Sequence, residues 1–431
     1  MNSIWHDGIE KPRFDMLEGD ARTDVLIIGG GLAGILSAYV LKSFGADCML
    51  LEANEICSGI TKNTTAKITL SHGLIYDKLI RRYGMEKAAQ YLMAQSEAMA
   101  EYARLAEKIP CDYEKKTSYV YSLDDLEKIE KEINALNKLG VAAELSPAGE
   151  LPIKVAGAVE IKGQAQFHPL KFVYGIAKEL PIYENTKVKE LLPGKAITER
   201  GTVSFKSAII ATHFPILNKH GAYFVKMYQH RSYVLALEGA PIPDGMYLDE
   251  SGRGLSFRGY GDLLLLGGGA QRTGKSGGGW HVLENFKAEH YPEAKIVTKW
   301  ATQDCMTLDG VPYIGRYSRG TSDLYVATGF NKWGMTSSMA SAKILADLIK
   351  GKSNPYADVF APSRSILHPQ LAVNLFETTV GLLTLTAPRC PHLGCALKYN
   401  AAEHSWDCPC HGSRFTENGG LIDNPATGDK K

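Results

Sequence analysis

Four side chains towards one end of the chain carry metal-binding chemistry at short spacing. Cys390 and His392 form a Cys-x-His pair, Cys408 and His411 form a Cys-x-x-His pair, and fifteen residues separate His392 from Cys408. Each loop offers one thiol and one imidazole. Two thiolates on one iron and two imidazoles on the other make the donor set of a mixed-ligand [2Fe-2S] centre, which carries electrons. Two short Cys/His loops also suit a tetrahedral zinc ion, which would only clip the loops together.

The flanking residues separate these readings. Leu393-Gly394 after the first pair and Gly412-Ser413 after the second make both loops resemble the Rieske iron-sulfur family residue by residue. The resemblance implies Cys390 and Cys408 as thiolate ligands and His392 and His411 as imidazole ligands. Cys395 and Cys410 match the second cysteine of each loop, which one branch of that family joins as a disulfide; the resemblance implies the same bridge here, and a reducing compartment would open it. In that family a serine and a tyrosine hydroxyl donate to cluster sulfurs and raise the potential. Ser413 keeps the first donor, and Phe415 stands where the tyrosine would be.

A second chemical feature opens the chain. Asp24-Val25-Leu26-Ile27-Ile28 reads as a strand, Gly29-Gly30-Gly31-Leu32-Ala33-Gly34 as a glycine turn and Ile35 to Leu41 as a helix. Gly29 permits the tight turn, Gly31 lets a pyrophosphate reach the helix N-terminus beside Leu32 and Ala33, and Gly34 lets helix and strand pack closely. A second apolar strand, Cys48-Met49-Leu50-Leu51, ends in Glu52-Ala53, where the carboxylate can accept from a ribose diol. A carboxylate there disfavours a 2'-phosphate, leaving FAD or NAD.

Further on, the chain resembles the D-amino acid oxidase-like family of FAD-dependent oxidoreductases, which includes glycine and sarcosine oxidases. The segments that carry the resemblance are Cys57 to Thr65, Gln166-Phe167-His168-Pro169, Ile182 to Val188, Ala208-Ile209-Ile210-Ala211-Thr212, Thr307 to Gly315 and Leu324 to Gly329. His213 stands where glycine usually ends the fourth of these. The resemblance implies FAD, with Thr61, Thr64 and Thr65 around the pyrophosphate and flavin, Val188 at the adenine, Ala211 on the returning strand, and Gly329. A helix opened by Gly334-Met335-Thr336 can stabilise negative charge on the reduced flavin edge. Relatives often anchor a substrate carboxylate with an arginine just before the Thr-x-Asp-Gly motif, but Asp304 holds that position here. Arg258 and Lys332 are therefore the candidate substrate-binding residues, and no catalytic base is named.

These elements imply an α/β (α+β) fold: a Rossmann-like FAD-binding domain interleaved with a β-sheet substrate domain, plus a small all-β Rieske domain. The expected division gives residues 20–75, 150–215 and 305–352 to the FAD domain, 76–149 and 216–304 to the substrate domain, 353–378 to a linker and 379–431 to the cluster domain. That last segment is short for a Rieske domain with its own core. Met85 to Ile109 and a segment starting near Ser122 carry helical patterning, while Val234 to Leu237 and Leu263 to Leu266 read as strands.

Gly269-Ala270-Gln271-Arg272-Thr273-Gly274-Lys275-Ser276 matches the phosphate-binding pattern G-x-x-x-x-G-K-S. That pattern works only when a helix starts at its Lys-Ser end. Here Gly277-Gly278-Gly279 follows, and glycine disfavours a helix by about 1 kcal/mol per residue. A flexible basic loop is expected instead, not an NTPase.

Composition adds bounds. Forty-eight basic and forty-seven acidic residues leave a net charge of +1 among 431 residues, which offers no electrostatic footprint for nucleic acid or a membrane surface. The opening residues show no signal-peptide pattern and no apolar run spans a bilayer, so a cytoplasmic location is expected. Cys48, Cys57, Cys111 and Cys305 are scattered without a disulfide framework.

The combined expectation is a dehydrogenase that oxidises a small amine, amino-acid-like or related substrate at FAD and passes the electrons through a Rieske cluster to an external acceptor. Two alternatives are an oxygen-using oxidase with the cluster as sensor or clip, and a reductase feeding a partner oxygenase. The reductase would normally need a second dinucleotide fold, and no second strand-linked glycine motif is present. With Phe415 in place of the tyrosine donor, the cluster potential should fall in the middle or lower part of the roughly −150 to +300 mV Rieske span, as measured by redox titration.

Overall fold

The computed structural model describes residues 3–217, 220–252, 254–384 and 387–430. The α/β architecture expected from the sequence is the one adopted. A six-stranded sheet runs in the order Tyr313–Ser318, Thr321–Thr328, Ser207–Ile210, Val25–Ile28, Cys48–Leu51, Ile182–Tyr183, parallel except for its first edge strand. Along Val25–Ile28, Val25 and Ile27 pack towards a core shared with the helices Leu32–Ser43 and Gly334–Ile349, and Leu26 and Ile28 enter a second core with Val188, Ala196 and Val203. Burial of both strand faces explains the unbroken apolar run in the sequence.

The turn after this strand depends on glycine at two points. Gly29 has φ of 112°, and a Cβ on it would lie 2.6 Å from the Ala211 carbonyl oxygen. A Cβ on Gly34 would lie 1.9 Å from the Gly29 carbonyl oxygen, so the helix could not sit this close to the strand.

A nine-stranded mixed sheet forms the second layer, with Met227–Glu238 between Lys295–Thr307 and Leu263–Arg272 at one end and Glu114–Ser122 against Gly157–Gln166 at the other. The long helix Tyr76–Ala106 and the helix Leu126–Lys138 flank it; Asp125 caps the latter by accepting from the Lys128 amide at 3.1 Å. The glycine-rich match at 269–276 starts no helix: Leu263–Arg272 is a strand, and the next helix, Trp280–His290, begins after Gly279.

The last region is a four-stranded antiparallel meander, Lys398–Asn400, Ser405–Asp407, Arg414–Thr416 and Leu421–Asp423. Its own core is small, built on Leu397, Phe415, Ala426 and four cysteines. The segment 353–378, expected to be a linker, instead holds the short helix Ala357–Phe360 and most of a helix Pro369–Leu383. Between them Arg364 grips Asp309 through two hydrogen bonds of 2.6 and 2.8 Å, and the Tyr83 hydroxyl donates to the same carboxylate at 2.7 Å. Burial would raise the Asp309 carboxyl, but Arg364 outweighs it and holds it down at about 2. Arg364→Ala leaves that carboxylate buried beside a neutral hydroxyl and should destabilise the protein by about 3–5 kcal/mol, read as a fall in Tm.

Candidate functional site

A cavity of about 650 Å³ lies between the two large sheets. Gly29, Gly31, Leu32 and Ala33 form its floor at the glycine turn, Glu52, Ala53 and Val188 one end, and Ala211 a side wall. Thr61, Thr64, Thr65, Gly334, Met335 and Lys332 also line it. Glu52 accepts from the Gly30 amide at 2.6 Å and the Asn54 amide at 2.9 Å, while burial pushes its carboxyl above the usual range. The Thr61 hydroxyl oxygen accepts from the Leu32 amide at 3.0 Å, tying the loop to the helix start. Helix Gly334–Ile349 has no side-chain cap at its N-terminus, and its first residues face the cavity. That end presents positive potential.

Four expected residues do not line the cavity. Gly34 serves the helix-strand approach described above. Gly329 has φ of 70°, and a Cβ there would strike the Thr307 side chain at 2.4 Å. The Thr336 hydroxyl is taken up by His72 Nε2 at 3.0 Å, and His72 bonds the Tyr91 hydroxyl at 2.6 Å and stacks on Trp333 at 4.9 Å between centroids. Arg258 is the clearest correction. Its buried guanidinium donates to Gln166 Oε1 at 2.9 Å, to the carbonyls of Ala66 and Phe167 at 3.1 Å each, and to that of Thr65, so four of its five donors are committed to the protein and the side chain braces the loop before the cavity.

Lys67 is a residue the sequence reading missed. It lines the cavity, donates to Thr65 Oγ1 at 3.3 Å, and is lowered to about 7 by burial and by Arg258. Only a lysine within an otherwise polar Thr-Thr-Ala-Lys run signalled it. The second missed feature is larger: Leu421 to Asn424 and Ala426 to Asp429, in the meander's final strand and the segment after it, line the same cavity.

The two cysteine-histidine loops fold alike. The carbonyl of Cys390 accepts from the Gly394 amide and that of Cys408 from the Gly412 amide, each at 2.9 Å, with both glycines at positive φ. Cys390, Cys408 and His411 are buried, and the His392 and His411 rings lie 4.9 Å apart. Neither His411 nitrogen has a hydrogen-bond partner among the described residues, an arrangement that suits metal ligation. The Ser413 hydroxyl oxygen accepts from the Ala426 amide at 3.0 Å. Phe415 is fully buried in the small core.

The expected Cys395–Cys410 disulfide is absent: both are free thiols, and the sulfurs of Cys395, Cys408 and Cys410 lie within 4.8 Å of one another without a bond. A helix braces the loops in its place. Gly381 of Pro369–Leu383 packs so closely that a Cβ on it would lie 2.5 Å from Cys410 Sγ, and its carbonyl accepts from the Ala396 amide at 2.9 Å.

Both imidazoles face the flavin-binding body, His392 against Phe214 at 6.3 Å and His411 against Phe224 at 6.2 Å between ring centroids. Gln229 donates to the carbonyls of His411 and Asn424, and Gln303 to the carbonyl of Gly412 and to Gln229 Oε1. Arg272 donates to the carbonyls of Pro409 and Cys410, and Lys275 pairs with Glu377 at 2.6 Å, so the loop expected to be flexible is a docking surface for the cluster region. Asn424 donates to the carbonyls of Thr212 and Phe214, flanking His213. His213 lines the cavity, has φ of 64°, and its Nε2 is buried with no hydrogen-bond partner among the described residues.

Fold and site together define a flavoprotein joined to an iron-sulfur module, and comparison with known proteins agrees. The FAD dependent oxidoreductase family matches residues 24–348, and the Rieske [2Fe-2S] domain matches residues 364–430. The chain belongs to the FAD dependent oxidoreductase family, is an oxidoreductase, and binds FAD and a [2Fe-2S] cluster. It is 33% identical over 98% of its length and 96% of the relative's to the putative Rieske 2Fe-2S iron-sulfur protein YhfW of Bacillus subtilis (strain 168). It is 24% identical to the gamma-glutamylputrescine oxidoreductase of Escherichia coli (strain K12), across 81% of this chain and 88% of that one. Its fold is similar to that of glycine oxidase from Geobacillus kaustophilus, with a TM-score of 0.68 and 20% identity over 80% of this chain and 99% of that one.

The main ionic contact holding the cluster region in place is Arg231 with Glu403. Their side chains are 8% and 7% exposed, Arg231 Nε donates at 2.8 Å, and Arg414 adds a second guanidinium at 2.9 Å. Burial would raise the Glu403 carboxyl, but Arg231 and Arg414 prevail and hold it at about 2. Its contribution to stability is therefore present above the ordinary glutamate value and lost as pH falls from about 4.5 towards 2. Arg231→Ala should weaken docking by about 3–5 kcal/mol and expose the segment after Leu397 to limited proteolysis while the flavin body stays folded.

Proposed function

We propose that this protein is an FAD-dependent dehydrogenase of small amines or amino-acid-like substrates, and that electrons from its flavin pass through the Rieske cluster of the same chain to an external acceptor. The observation that carries this reading is the shared wall: Thr212 and His213 line the cavity, and Phe214, next in the chain, packs on His392. In the proposed assignment Cys390 and Cys408 hold one iron and His392 and His411 the other. When bound, FAD takes two electrons as a hydride from substrate, and the cluster carries one at a time.

The protein's own groups have separate tasks in this reading. The glycine turn and Glu52 hold the dinucleotide, Thr64, Thr65 and the start of helix Gly334–Ile349 surround the flavin, and Gln229, Gln303 and Asn424 fix the cluster loops against the flavin body. The names of the relatives point to an amine and an amino acid, and the same class is assigned to this chain. Residues 24–348 act as the flavin and substrate unit and residues from 364 onwards as the cluster unit. Among the described residues no helix is long and apolar enough to cross a membrane. Cys48, Cys57, Cys111 and Cys305, none of them a cluster ligand in this reading, are buried free thiols, which suits a reducing cytoplasm.

Anaerobic mixing with an oxidisable amine should bleach the flavin and then produce the EPR signal of a reduced cluster in the same molecules. Cys408→Ala should retain flavin bleaching and lose at least tenfold in turnover with a one-electron acceptor. A cluster that stays oxidised through many turnovers refutes the relay.

A further inference from the structure

Two thiols of the cluster region have no task in the reading above. Cys395 and Cys410 hold no iron in the proposed assignment and do not bridge each other, and both are buried. Their sulfurs and that of Cys408 lie within 4.8 Å of one another, and no other histidine, cysteine, aspartate or glutamate among the described residues joins the group at that spacing. One ion can therefore meet all three. Thiolates bound to a soft cation at about 2.3 Å in a trigonal arrangement stand roughly 4 Å apart.

The surroundings suit thiolates. Arg389 donates to the carbonyls of Gly381 at 3.2 Å and Gly394 at 2.9 Å, and Arg272 to that of Cys410 at 3.1 Å, so two guanidiniums are fixed against the backbone that carries these sulfurs. Positive charge beside a cysteine favours the deprotonated form that metal binding requires. The helix Pro369–Leu383 leaves the sulfurs room: a Cβ on Gly381 would lie 2.5 Å from Cys410 Sγ and 3.7 Å from Cys395 Sγ, and the Cys410 thiol donates to the Glu377 carbonyl at 3.6 Å. Packing alone accounts for buried thiols, but three sulfurs at ligand spacing beside two guanidiniums also make a donor set. Its softness and number choose the ion. Zinc calls for a fourth donor, whereas monovalent copper, the form stable among excess thiols, is satisfied by three thiolates.

We propose that Cys395, Cys408 and Cys410 form a trigonal site for monovalent copper, and that copper bound there displaces the iron-sulfur cluster. The displacement rests on the assignment of Cys408 as an iron ligand proposed above. In the exchange the Cys408–iron bond breaks and a Cys408–copper bond forms, while Cys395 and Cys410 give their protons to the small-molecule thiolates that delivered the copper. Iron and sulfide leave, and no electron is transferred. Copper then silences the cluster and spares the flavin.

The test titrates holoenzyme anaerobically with monovalent copper supplied in excess reduced glutathione, counting bound copper, iron and sulfide and following the cluster's visible absorption and the EPR signal of its reduced form. One copper per chain should bind as iron and sulfide leave, with flavin content unchanged, and X-ray absorption at the copper edge should show three sulfur neighbours. Cys395→Ser and Cys410→Ser, loaded with cluster, should need at least tenfold more copper for the same loss of cluster. Retention of the cluster at saturating copper, copper held by two sulfurs or by nitrogen and oxygen, or loaded variants as sensitive as the unmodified protein overturn the inference. Equal displacement by divalent zinc overturns the choice of ion. Where a serine variant fails to load cluster, the copper-edge spectrum of the unmodified protein decides alone. Iron and sulfide content of Cys408→Ser, prepared without copper, examines the ligand assignment separately: a loaded cluster there refutes that assignment, while three-sulfur copper binding stands or falls on its own spectrum.

Discussion

The structure depends on one buried electrostatic contact between regions that are distant in sequence. Arg231 projects from a strand of the large sheet to Glu403, and Arg414 of the meander binds the same carboxylate together with Asp407 and Asp423. Such a cluster is costly to bury and strongly resists losing one member. It holds a four-stranded meander that could hardly stay folded alone, since its core amounts to a few apolar side chains and the cysteines. The flavin body therefore supplies the base that the meander lacks.

This arrangement accounts for the glycines and amides at the junction. Gly412 must lack a side chain because a Cβ would lie 2.5 Å from the Gln229 side chain, and Gly274 because one would lie 2.7 Å from the Pro409 nitrogen. Gln229 and Gln303, both buried, donate to backbone carbonyls of the cluster loop and so satisfy groups that water cannot reach. A glycine-rich stretch that imitates a phosphate-binding motif is thus explained as a tightly packed seat.

Features written in short spacings were legible in the sequence. The two cysteine-histidine loops and the strand-turn-helix at Val25 to Ser43 declare themselves because ligand geometry and close backbone approach tolerate few alternatives. A helix starting near Ser122 and a strand at Val234 to Leu237 are legible through capping and an apolar run, while the structure starts that helix at Leu126, capped by Asp125, and extends the strand over Met227–Glu238. The role of Arg258 was not, because a guanidinium that binds carbonyls from Thr65, Ala66 and Phe167 looks the same in one dimension as one that binds substrate. Helix Pro369–Leu383 was hidden for another reason. Its apolar residues are largely outward, with Phe376 66% and Leu383 73% exposed, and the face that packs on the cysteines is marked only by a glycine. The disulfide expectation failed at the same place, where packing against Gly381 braces the loops.

The chain's last strand and the segment after it form part of the cavity that also meets the first glycine turn, so early and late portions of the polypeptide close around one space. Lys187 reaches across to the Thr427 carbonyl at 2.7 Å, sealing that closure beside Val188. Because the tail forms part of the dinucleotide's cavity, binding at the metal centre and binding in the cavity both favour the same closed arrangement, so each stabilises the other.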